Sequence, residues 1–97
     1  MDFMLTKQDM DAVHDAIRLS LIARKDELKL SDEKLGKQAF GFMGAPRGKI
    51  QSLFVGQGAP GNRKPQTINI CELLNLCEAL GLSWQDEIRK ALKTLKS

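Results

Sequence analysis

Ninety-seven residues with 42% hydrophobic and 28% charged content suffice for one domain with one modest core, and exclude wholesale disorder. Lys and Arg number 15 against 12 Asp and Glu, a net charge of +3 that favours an anionic partner only where the charges cluster. A single histidine and two cysteines outside any C-x-x-C pair cannot complete a zinc site, and no apolar run approaches the roughly 20 residues of a membrane span.

The opening stretch Met1–Thr6 is a short apolar patch without the basic start of a signal peptide. From Lys7 to Leu30 there is neither Gly nor Pro, and Met10, Val13, Ile17, Leu21 and Arg24 fall on one helical stripe widened by Ala16 and Ile22. Thr6, followed by Asp9 at the capping-box position, starts this first helix, which the pattern carries to about Lys25 and as far as Glu27 or Lys29. Ser31 is the next N-cap, with Asp32 and Glu33 where carboxylates favour the helix dipole, and the second helix covers about Asp32–Phe40. Gly36 inside it costs about 1 kcal/mol relative to Ala, so its presence marks close approach by another backbone, here the following helix.

Residues Gly41 to Pro46 form a corner, and Pro46 suits the first turn of a third helix over Arg47–Val55 that Gly56 stops. Ile50, Leu53 and Phe54 give this helix an apolar side, while Arg47, Lys49, Gln51 and Ser52 stay off the stripe. Two helices this short are unstable alone and must pack on the rest of the chain. A helix with such an outward face is most simply one presented to DNA. Gln57–Gln66 reads as a loop with adjacent cations Arg63 and Lys64. The fourth helix starts at Thr67 or Asn69, capped by Asn69 with Glu72, buries Ile70, Leu73, Leu74, Cys77 and Leu80, and ends at Gly81. Ser83 and Asp86 open a fifth helix running to about Leu95, with Ile88, Ala91, Leu92 and Leu95 apolar and Trp84 packing it onto the fourth. No segment has strand periodicity, so the class is all-α, five helices in a single domain over residues 1–97.

The charge distribution is uneven. Between Lys34 and Cys71 there is no carboxylate, while Lys34, Lys37, Arg47, Lys49, Arg63 and Lys64 all lie inside, as expected where a polyanion approaches. Cys71 and Cys77 point to different sides of one helix, cannot bridge within it, and are expected to be buried free thiols in a reducing cytoplasm. Gly56 to Gly61 formally spells G-x-G-x-x-G but lacks the strand and βαβ unit that dinucleotide binding needs. Gly44–Lys49 has the wrong spacing for a phosphate loop, and His14 is expected at the surface, with no nucleophile placed beside it. No acid, base and nucleophile come together, so an enzyme is not expected and no cofactor or metal is implied.

Leu30-Ser31-(x3)-Leu35-Gly36 resembles the L-S-x-x-x-L-A opening of helix two in lambda-repressor-like (Cro- or Xre-type) helix-turn-helix domains. Ile50-x-x-Leu53-x-x-Gly56 is similar to the end of their recognition helix, and Ile70 to Ser83 to their fourth helix. The match spans about Ile17 to Leu92. Two departures stand out: the turn between helices two and three is about four residues longer than the family's, and the loop before Asn69 is long and basic.

The resemblance implies a five-helix, lambda-repressor-like domain with an enlarged turn that binds double-stranded DNA. Its base-reading residues would be Arg47, Gly48, Lys49, Gln51 and Ser52, with Val55 at the far end. Lys34, Lys37, Gln38, Asn62, Arg63 and Lys64 would contact phosphates. The implied protein is a cytoplasmic bacterial or phage transcriptional regulator, a repressor acting by occupancy of a promoter. Two copies would sit on a palindromic site as a homodimer, with Ile88, Leu92 and Leu95 as the dimer contact. A protein-interaction module of the same fold, of antitoxin or anti-repressor type, is the alternative.

Overall fold

The computed structural model describes residues 4–56 and 64–96. Its helices are α1 (Lys7–Glu27), α2 (Asp32–Phe40), α3 (Pro46–Phe54), α4 (Ile70–Leu80) and α5 (Trp84–Lys93), followed by a 3₁₀ turn over Thr94–Lys96. Among the described residues there is no strand. No helix among them is long and apolar enough to cross a membrane.

Each boundary follows from local chemistry. At Thr6 the hydroxyl accepts from Asp9 N at 3.1 Å while the Thr6 amide donates to the Asp9 carboxylate at 3.0 Å. Asn69 and Glu72 repeat that reciprocal box at the head of α4. Ser31 caps α2 by accepting from Lys34 N at 3.1 Å. α3 has no side-chain cap; Ala45 stands at that position and Pro46 is placed where its missing N–H costs nothing. Gly81 closes α4 in the left-handed conformation, at φ 70°.

The core is one cluster. Leu21 of α1, Leu35, Ala39 and Phe40 of α2, Ile50, Leu53 and Phe54 of α3, and Leu73, Leu76, Cys77 and Leu80 of α4 are all buried. α2 and α3 pack on each other, α4 lies under α2, and α5 lies along α1. Polar ties fix the periphery. Arg24 Nε donates to the Leu80 carbonyl at 3.1 Å, satisfying an orphan acceptor at the end of α4. Lys25 and Asp32 pair at 3.2 Å across the α1–α2 junction.

Several placements differ from the sequence reading. Met10, in the second turn of α1, is 53% exposed; Ile70 and Leu74 are 59% and 39% exposed because the arc of α4 that meets the core is centred on Leu73, Leu76, Cys77 and Leu80. Cys71 lies off that arc and is exposed. Trp84 keeps 39% of its surface exposed at the head of α5. His14 is partly covered, and its Nε2 accepts the Ile68 amide at 2.8 Å, fixing the segment that enters α4 against α1. Glu87 is buried, accepting from the Ser20 hydroxyl of α1 and pairing with Lys90 Nζ at 2.9 Å.

The two thiols have opposite environments. Burial, and secondarily the Glu87 carboxylate, pushes the Cys77 thiol up to about 11 from its ordinary 9.0. The unfolded chain therefore releases this proton first as pH rises. The contribution to stability is intact below about pH 9 and is lost progressively as pH climbs through about 11. Iodoacetamide at pH 8 is expected to label Cys71 and spare Cys77 in the folded protein. Mass spectrometry finding equal labelling at both would contradict this placement.

Candidate nucleic-acid interface

The position of α3 is set from beneath by Gly36. A Cβ there would come within 2.6 Å of the Pro46 carbonyl oxygen and 3.0 Å of the Arg47 amide, all backbone atoms, so only glycine lets α2 and α3 approach this closely. With Ile50, Leu53 and Phe54 held in the core, Arg47, Gly48 and Gln51 are left exposed, with Val55 47% exposed at the far end. The outward arc thus carries a guanidinium, a position with no side chain and a carboxamide. Neither the Arg47 guanidinium nor the Gln51 carboxamide has an ion-pair or hydrogen-bond partner among the described residues.

Two expected base readers are placed otherwise. Ser52 is 5% exposed, so its side chain does not stand on the outward arc. The reason is the chain returning from the loop: Gln66 N donates to the Ser52 carbonyl at 2.8 Å, bringing that segment alongside α3. Lys49 is drawn sideways into an ion pair with Glu72 of α4, with side-chain exposures of only 23% and 13%. Glu72 thereby serves twice, one oxygen accepting the Asn69 amide and the other taking the ammonium.

The flanking cations are arranged as follows. Lys34 and Gln38 are exposed on α2, and Lys37 is exposed while pairing with Glu33 at 3.2 Å, a surface pair worth little. Asn62 and Arg63 lie outside the described residues. Lys64 is exposed at the base of the loop, where its carbonyl packs against Gly56, whose φ of 95° turns the chain sharply off the end of α3. Lys34 thus lies in the first turn of α2, and the Lys64 backbone lies beside Gly56 just beyond the end of α3.

In comparisons with known proteins, no family model, no curated sequence and no solved structure matches this chain. Among the described residues no group of three or more His, Cys, Asp or Glu could hold a metal ion. The proposed dimer stripe is partly covered within the chain: Ile88 packs against the core, and Leu92 and Leu95 are half-buried.

Sequence reasoning missed Glu72 as a partner of Lys49 and the burial of Ser52. Glu72 was recognisable as a capping residue, but nothing local says where the second oxygen of a capping carboxylate turns.

Proposed function

We propose that this chain is a sequence-specific double-stranded DNA-binding regulator of the lambda-repressor-like type, placing α3 in the major groove and repressing a promoter by occupancy. The observation that carries the reading is the outward arc of α3. A short helix locked by a glycine contact to α2 presents Arg47, Gly48 and Gln51 with no carboxylate among them. Arg47 suits bidentate contact with guanine O6 and N7, Gln51 with adenine N6 and N7, and Gly48 leaves room for the helix backbone to come close to the base edges. Lys34, Lys37, Gln38 and Lys64 supply phosphate contacts that fix register. Lys49 and Ser52 are removed from the base-reading set, since one is tied to Glu72 and the other is buried.

Selection of bound duplexes from a random pool is expected to return a two-fold symmetric consensus with half-sites about one helical turn apart. Recovery of no enriched sequence, together with capture of a partner protein, would favour the interaction-module alternative. On the selected duplex, Arg47→Ala is expected to weaken binding by about 1–3 kcal/mol and to relax preference at one base position. Lys64→Ala is expected to weaken all duplexes alike. A sequence-dependent loss at Lys64 would contradict its assignment.

A further inference from the structure

Residues 34–71 contain no carboxylate, yet the fold brings one back to the side of α3. Glu72, in the first turn of α4, is the next acid in the chain, and its Oε2 takes the Lys49 ammonium. Its Oε1 accepts the Asn69 amide at 3.0 Å, while Asn69 Oδ1 accepts the Glu72 amide at 2.8 Å. The cap uses one side-chain oxygen and no charge, since glutamine serves at that position as glutamate does. The charge is left for Lys49.

The pair differs from the surface pairs of this chain. Only 23% of the Lys49 side chain and 13% of the Glu72 side chain meet solvent, so water and salt screen it less than they screen the exposed Lys37–Glu33 pair. Taking the lysine away would leave a largely buried carboxylate without a counter-charge, which is costly. The N-terminus of α4 offsets only part of that charge. Lys49 nevertheless stands two residues after Arg47 and two before Gln51 on α3, and its long flexible stem carries a point charge suited to phosphate. Beside a duplex, two anions compete for this ammonium, and the internal one is already desolvated and held in place by the cap.

We propose that Glu72 is a positioning residue that withholds Lys49 from nucleic acid, so that α3 meets a duplex with one phosphate contact fewer than its cations would allow. This rests on the DNA-binding reading of α3. A phosphate contact at Lys49 would strengthen binding to every sequence alike, whereas Arg47 and Gln51 act on base edges. Withholding it lowers the affinity for arbitrary sequence and quickens release from it.

The test is duplex affinity against salt, on one fixed duplex, for the wild-type chain, Glu72→Gln and the double variant Lys49→Gln/Glu72→Gln, each checked for folding by circular dichroism. Glu72→Gln, which keeps the cap, is expected to steepen the salt slope by about 0.9 and to tighten binding about eightfold at about 0.1 M salt. The double variant is expected to return to the wild-type slope. Glu72→Ala, which has no side-chain oxygen to hold the lysine, gives a second reading of the same steepening. A purely structural role for Glu72 would move affinity without adding a phosphate contact, so the slope separates the two. A slope unchanged in both single variants would overturn the proposal. So would a double variant shallower than wild type, since Lys49 would then already be on a phosphate, or one as steep as Glu72→Gln, since the gain would then come from the lost carboxylate alone. Absence of affinity for any duplex at low salt in all of these proteins would overturn the DNA-binding reading and this proposal with it.

Discussion

Gly36→Ala should destabilise the protein by about 1–3 kcal/mol, although helix propensity alone would stabilise α2 by about 1 kcal/mol. The two effects have opposite signs, and magnitude decides between them. The added Cβ would lie 2.6 Å from the Pro46 oxygen and 2.7 Å from its carbonyl carbon, and backbone atoms cannot swing aside as the end of a side chain can. The clash is relieved only by lifting α3 off α2, which separates Leu35 and Ala39 from Ile50 and Leu53 in the centre of the core. Gly36→Val, which adds two methyl groups at the same contact, should cost more than alanine and leave a chain that is partly unfolded at ambient temperature. For a domain of this size each kcal/mol moves the thermal midpoint by about 4–8 °C, so a melt reads the sign directly. A rise in midpoint on Gly36→Ala would mean that α2 and α3 do not pack at this distance. Because the same contact sets Pro46 and Arg47, the variant should also lose duplex affinity beyond what its unfolded fraction explains.

Gly56→Ala carries the second large effect, for a different reason. Gly56 has φ of 95°, a region where a Cβ is strained whatever its neighbours, at roughly 1–2 kcal/mol. Here the neighbours add to the strain. A Cβ would overlap the Lys64 carbonyl group and lie 2.6 Å from Pro65 N. Strain and overlap together should remove about 3 kcal/mol or more. The loss should spread to the closure beneath it, where Gln66 N meets the Ser52 carbonyl, and so to the placement of Lys64. Urea unfolding measures the first consequence. Hydrogen exchange at the Gln66 amide, expected to quicken in the variant relative to amides in α1, measures the second. An unchanged midpoint would show that the two chain segments are not held together at Gly56.

Much of this architecture was legible in the residues. The caps at Thr6, Ser31, Asn69 and Ser83, the stop at Gly81 and the corner before Pro46 are local patterns whose chemistry lies within four residues, and the helix boundaries follow them closely. Gly36 was legible too, because a glycine inside a helix is costly enough to demand a reason, and close backbone approach is the usual one. What was not legible joins residues far apart in the chain. His14 accepts the amide of Ile68, and Glu87, in the first turn of α5, is buried against Ser20 of α1. The candidate interface divides along the same line. Arg47, Gly48 and Gln51 stand outward because α3's own stripe puts them there. Lys49 and Ser52 were lost to it by partners from α4 and from the chain returning out of the loop, which periodicity within α3 cannot report.

The measurement that tests the central proposal most directly is duplex affinity as a function of salt, taken from low ionic strength upward on the wild-type chain. Binding should be measurable on any duplex at low salt, and its logarithm should fall linearly with the logarithm of salt concentration. The slope expected is about −0.9 for each phosphate contacted, diminished by about one such step in Lys64→Ala. Absence of affinity for any duplex at low salt, or affinity indifferent to salt, would contradict the account.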